Sequence, residues 1–194
     1  MEQRAVMAER TIDERVIEAC QSGDREAFRL LFEAYKDRVF SIAVYSFGGD
    51  ETAASDVSQQ IFLKLITSIR QFRGDSAFTT WLYRLVVNAC TDEHRKRSRL
   101  LQFGESVAVS RIEDRRPQEK HFARLEVTDF VQAAIKDLTP KLRMPILLKY
   151  VEGLSYEEIA GVLGCSKGTV ASRLNRGHQS LAKKLWHLRD EVVE

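Results

Sequence analysis

Val57, Ile61, Leu65 and Ile69 recur at a strict four-residue step. That spacing lines one face of an α-helix and cannot serve a strand, whose faces alternate at every second residue. The same three- and four-residue steps return elsewhere. Phe28, Leu31, Phe32, Tyr35, Val39 and Ile42 predict a long helix closed by Gly48 and Gly49, and Phe78, Trp81, Leu82, Leu85 and Val86 predict another. No alternating pattern competes, and three prolines and ten glycines in 194 residues leave few breakers. The expected fold class is all-α.

Helix boundaries are legible as well. Thr11 and Glu14 have the form of a capping box, in which a hydroxyl and a carboxylate each satisfy a free amide at a helix start. Ser22, Gly23 and Asp24 read as a stop followed by a new start. From about Arg97 to Arg124 the periodicity lapses, with Gly104, Pro117 and scattered charges, which reads as a flexible linker. Phe130, Ala134 and Leu138 resume the pattern. Thr139 and Pro140 then read as N-cap and first helical residue, with Ile146, Leu147 and Tyr150 giving the next apolar face and Gly153 its end. The chain is thus expected to hold two small helical domains, 12–99 and 126–189, joined by a linker over 100–125.

Ser155 and Glu158 form a second capping box and open the most informative stretch. Ala160 allows a second helix to pack closely, Gly164 makes a tight turn, and Ile159, Leu163, Val170 and Leu174 supply a shared core. This is a helix-turn-helix pattern. The helix expected from Ser166 carries Lys167, Arg173, Arg176, Lys183, Lys184 and Arg189, with no acidic residue between Cys165 and Arg189. The formal charge of the whole chain is only +2, so this basic face is a local feature that the total conceals. Duplex DNA is the partner it fits.

Other classes are excluded on simple grounds. The longest run without a charged residue, Val39 to Gly49, falls far short of the roughly 20 apolar residues that cross a bilayer. The opening MEQRAVMAER has no apolar signal core. Neither membrane insertion nor secretion is expected, and a cytoplasmic location is. Cys20, Cys90 and Cys165 are widely spaced, with no Cys-x-x-Cys and no histidine at ligand spacing, so they read as small buried residues rather than a metal site. No metal or cofactor is expected. Glu157 and Glu158 sit at a helix start and are not placed as an acid and base pair, and no catalytic residue is assigned.

Several stretches together resemble a known family. They are Asp56 to Lys64 (DVSQQIFLK), Phe72 to Arg84 (FRGDSAFTTWLYR) with Asn88, Gly153 to Ala160 (GLSYEEIA) and Gly168 to Val170 (GTV). In that order they resemble the extracytoplasmic-function sigma factors, most closely the sigma-E-like members. The resemblance covers about 12 to 99 and 126 to 186. It implies a non-catalytic subunit of bacterial RNA polymerase made of region 2 and region 4, which steers core polymerase to promoters and promotes melting, commonly in a stress response.

Residue by residue, the resemblance implies that Asp56, Gln59, Gln60 and Lys64 dock on core polymerase. It implies that Phe72, Arg73, Asp75 and Ser76, with Arg84, Asn88 and Arg95 further along, contact the minus-10 element. Holding flipped single-stranded bases needs stacking and edge hydrogen bonds, and a loop with an arginine, a carboxylate and hydroxyls offers both kinds of group. Phe78 and Trp81 are assigned instead to the core. The basic run His94 to Arg99 suits phosphates just upstream. Lys167, Thr169, Ser172, Arg173 and Arg176 are assigned to the minus-35 element. Position 171 is Ala, where sigma-E-like members often carry a basic residue. Expected partners are core RNA polymerase, promoter DNA and an anti-sigma factor. The rival reading is a stand-alone helix-turn-helix regulator.

Overall fold

The structure, a computed structural model, describes residues 12–102 and 130–186, and every regular element among them is helical. α1 (Glu14–Ser22) opens on Asp13, whose carboxylate accepts from the Arg15 amide at 3.0 Å. The expected Thr11 box is therefore displaced. Thr11 lies outside the described residues, and Glu14 occupies the first helical position rather than the third. Gly23 ends α1 at φ +91°, a left-handed conformation that suits a residue without Cβ. Asp24 then caps α2 (Arg25–Ser46), accepting from the amides of Glu26 and Ala27. Asp50 caps α3 (Glu51–Ser68), which runs into a single 3-10 turn, Ile69–Gln71.

α4 (Phe78–Gln102) is the longest helix among the described residues and passes beyond Arg97, where the apolar pattern gives out. Its last turns are held by charge pairs along the helix, Arg97 to Glu93 and Arg95 to Asp92, so helicity there does not need an apolar stripe. The rest of the expected linker lies outside the described residues.

In the first module Leu31, Tyr35, Val39, Ile42, Val57, Ile61, Leu65, Ile69, Leu82 and Val86 are all buried. Phe32 departs from the expected stripe. It is 43% exposed and meets Phe62 edge to face at 4.8 Å, because the buried arc of α2 is narrower than the pattern suggested.

In the second module a helical stretch over 130–136 leads to α5 (Pro140–Tyr150), with Thr139 and Pro140 placed as expected. Pro145 lies inside α5, which continues to Tyr150. α6 (Tyr156–Leu163) carries the full Ser155 and Glu158 capping box, and Gly164 turns the chain at φ +60° into α7 (Lys167–Leu185). Ile159, Val170 and Leu174 fill the shared core as expected. Val162 joins them, while Leu163 stays half-buried. Gly177 brings α7 close to α5, since a Cβ there would stand 3.0 Å from Ile146.

The modules pack on each other along a seam in which α2 meets α5 and α4 meets α6. Arg143 of α5 is only 5% exposed and has no carboxylate partner among the described residues. Its guanidinium donates to the carbonyls of Ile135 (3.0 Å), Leu138 (2.7 Å), Lys136 and, across the seam, Ser46 (2.5 Å). A cation so enclosed must have its protons accepted locally, and four carbonyls do so.

Candidate nucleic-acid interface

On α3 the buried stripe leaves the opposite face to solvent. Asp56, Gln59, Gln60 and Lys64 are all exposed. Leu63 and Ile66, which the periodicity did not single out, join them at 58% and 50% exposure. They are apolar residues off the four-step register, and that mismatch was the available signal. The face is therefore part amide and part aliphatic, the mixture that can be desolvated against a partner at small cost.

The loop from Phe72 to Ala77 is pinned at its start by Gln21, whose side-chain amide donates to the carbonyls of Phe72 (2.7 Å) and Ile69 (3.3 Å). The ring of Phe72 packs at 5.6 Å from both Phe78 and Trp81 and is half-buried. Beyond it Arg73 and Asp75 pair at 3.3 Å, almost fully in solvent, an interaction weak enough to exchange for a ligand. Gly74 between them adopts φ +77°. Ser76 is half-buried, and Phe78 is buried in the core as expected.

Along α4, Asn88 and Arg95 are exposed. Arg84 reaches over the seam, donating from Nε and Nη2 to the carbonyl of Gly161 in α6 at 2.9 and 2.7 Å. The basic run is divided. Arg95, Lys96 and Arg99 face solvent, whereas Arg97 pairs with Asp50 and Glu93, each at 3.0 Å. His94 turns inward, accepting at Nε2 from Arg143 (2.9 Å), with Ser46 Oγ 3.0 Å from the same nitrogen. Its place in the sequence put His94 in the phosphate-binding run; burial beside Arg143 removes it.

On α7 Ser166 caps the N-terminus, accepting from the Thr169 amide, and its hydroxyl lies 2.9 Å from that of Thr169. Lys167, Ser172, Asn175 and Arg176 lie on the solvent side, opposite Val170, Leu174 and Gly177. Lys167 pairs with Glu157 across the turn, and the ammonium holds that carboxyl below its ordinary range. Arg173 is half-buried, 3.9 Å from Cys165 Sγ. It lines a small cavity of about 140 Å³ shared with Val87 and Thr91 of α4.

Cys20 and Cys90 are buried, and burial pushes the Cys90 thiol up to about 12. Among the described residues no helix is long and apolar enough to cross a membrane.

A capped helix-turn-helix with an acid-free second helix, joined to a helical module with an open docking face and a polar loop, has the layout of a sigma factor. The sigma-70 region 2 family matches residues 31–100, and sigma-70 region 4 matches 131–181. The chain belongs to the sigma-70 family, as an RNA polymerase sigma factor of the extracytoplasmic-function type.

Among its relatives, the RNA polymerase sigma-H factor of Pseudomonas aeruginosa is 35% identical, over 93% of this chain and 97% of that protein. The extracytoplasmic-function sigma-E factor of Escherichia coli is 34% identical, over 92% and 97%. The solved structure of CnrH in complex with the cytosolic domain of CnrY matches with TM-score 0.67 at 28% identity, over 89% of this chain and 96% of the matched chain. That of the sigma factor RpoE with the anti-sigma factor NepR from Bartonella quintana matches with TM-score 0.65 at 26% identity, over 81% and 96%.

Proposed function

We propose a division of labour among three surfaces of this sigma factor. The exposed face of α3, with Asp56, Gln59, Gln60 and Lys64 extended by Leu63 and Ile66, docks on core polymerase. The loop Arg73 to Ser76, with Phe72 at its base and Arg84, Asn88 and Arg95 along α4, holds the minus-10 element. α7 enters the major groove of the minus-35 element through Lys167, Thr169, Ser172, Arg173 and Arg176. The two modules correspond to 12–99 and 126–189, with 100–125 as the tether.

The observation that carries this reading is α7 itself. Its inner face is Val170, Leu174 and Gly177, and its outer face presents lysine, serine, asparagine and arginine without an acidic residue. Such a helix is attracted to phosphates and offers hydrogen bonds to base edges. The protein then carries out no reaction of its own and acts in the cytoplasm, where its polymerase and promoters are. An anti-sigma protein is its natural restraint; the CnrH and RpoE neighbours, each solved with a bound partner, support that assignment.

The loop assignment is tested by the Asp75→Ala/Ser76→Ala double variant. Permanganate reactivity of unpaired thymines in the minus-10 element is expected to fall more than polymerase association does. Equal loss at both stages contradicts a base-holding loop.

A further inference from the structure

A cavity of about 540 Å³ opens where α1, α2 and the end of α3 meet. That volume is within the roughly 300–1,000 Å³ of small-molecule sites. Its floor is apolar. Cys20 is 1% exposed and Phe28 half-buried, and Ile66 and Thr67 of α3 complete that lining.

Two arginines line the same cavity. Arg25 is the first residue of α2, and Arg70 lies in the 3-10 turn after α3, its Nη2 3.6 Å from where a Cβ on Gly23 would stand. Both are exposed, and the side chain of neither has a hydrogen bond or ion pair among the described residues. Elsewhere in the first module Arg29, Arg38, Arg73, Arg95 and Arg97 each pair with a carboxylate. The acids flanking Arg25 are engaged otherwise. Asp24 accepts from the amides of Glu26 and Ala27, and Glu26 pairs with Arg29.

We propose that this cavity binds a single-chain amphipathic anion, an acyl chain ending in a carboxylate or phosphate. The chain lies on the Cys20, Phe28 and Ile66 surface and the head group meets Arg25 and Arg70.

The lining selects this chemistry. A guanidinium presents a planar fork of donors that matches carboxylate and phosphate oxygens. The floor offers little to a polar body, because the Thr67 hydroxyl already donates to the carbonyls of Leu63 (3.2 Å) and Lys64 (3.0 Å). A nucleotide base would bury its own hydrogen-bonding edges there without partners, a cost that an acyl chain does not bear. Burial, helped by the Asp24 charge, raises the Cys20 thiol above its ordinary range, so the floor holds no thiolate to repel an anion. Ile66 also belongs to the α3 face assigned to core polymerase. If that assignment holds, a bound chain covers an edge of the docking face, and occupancy opposes docking.

Isothermal titration calorimetry on the full chain tests the site, with octanoate and octyl phosphate below their micelle concentrations and octanol as the neutral control. Saturable binding is expected for both anions, about tenfold tighter than for octanol, as two exposed ion pairs would give. Arg25→Gln/Arg70→Gln is expected to bring the anions down to the octanol level. Thr67→Trp, whose indole fills the cavity, is expected to lose anions and octanol alike. All three substitutions are at exposed positions, and the thermal midpoints of both variants by circular dichroism are expected to match the parent. Octyl phosphate at saturation is expected to weaken core polymerase binding more in the parent than in Arg25→Gln/Arg70→Gln.

The proposal is overturned if the parent binds neither anion, if octanol binds as tightly as octanoate, or if Thr67→Trp keeps the parent's affinity. Anions that bind with these preferences yet leave core polymerase affinity unchanged contradict the polymerase assignment of the Ile66 edge instead, and the anion site stands.

Discussion

Nη1 of Arg143 on α5 lies 2.9 Å from Nε2 of His94 on α4, and because a guanidinium can only donate, that histidine nitrogen must carry a lone pair. Ser46 Oγ lies 3.0 Å from the same nitrogen. His94 is therefore neutral, with its proton on Nδ1. Burial, reinforced by the Arg143 charge, lowers its pKa to about 4. Of the other charges nearby, Arg97 acts in the same direction and Glu93 against it.

His94 titrates lower in the folded chain than the ordinary value near 6.5, so its contribution to stability is complete above about pH 6.5 and is lost as the pH falls toward about 4. Thermal unfolding followed by circular dichroism is expected to lose midpoint over that window in the parent and less steeply in His94→Gln. Parallel slopes would contradict a neutral, half-buried His94.

Tyr83→Phe removes the donor to a carboxylate whose second oxygen is already unpartnered. Leaving Glu152 buried without that bond is expected to cost about 1–3 kcal/mol in urea unfolding. Adding Glu152→Gln to Tyr83→Phe, which removes the stranded charge, is expected to recover part of the loss. No recovery would mean that Tyr83 acts through packing alone.

What the sequence displayed, and what it hid, divides along a physical line. Local chemistry was legible. The Val57, Ile61, Leu65 and Ile69 face is buried throughout, and the Ser155 and Glu158 box forms both of its bonds. Each depends on neighbours within a few positions. Helix α1 starts on Asp13, two residues past the expected cap, and its carboxylate takes the Arg15 amide. The seam was not legible. Arg84 and Gly161 are 77 residues apart, and no periodicity encodes which carbonyl an arginine will find. His94 looked like one more member of a basic run until Arg143, 49 residues on, supplied its surroundings.

Leu63→Asp changes an exposed side chain with little packing to lose, so stability is expected to shift by less than about 0.5 kcal/mol. Affinity for core polymerase is expected to fall, as it is for Gln59→Lys/Gln60→Lys. Competition against the parent chain for limiting core reads this directly. Unchanged affinity in both variants would move the docking surface off α3.

Arg173→Ala and Arg176→Ala are expected to weaken minus-35-dependent binding by the holoenzyme. Removing one arginine from a phosphate reduces the slope of log affinity against log salt by about one. Arg176, fully on the outer face, is expected to show the phosphate signature more cleanly than the half-buried Arg173. Identical salt slopes for parent and variants would remove α7 from the promoter.

The most direct measurement is run-off transcription by purified core polymerase on a promoter library, with and without the full chain. Initiation is expected at a subset of promoters sharing minus-10 and minus-35 sequences, only when the chain is added. A core enzyme left equally silent in its presence, or a chain that tightly binds a symmetric duplex site without polymerase, would contradict the account.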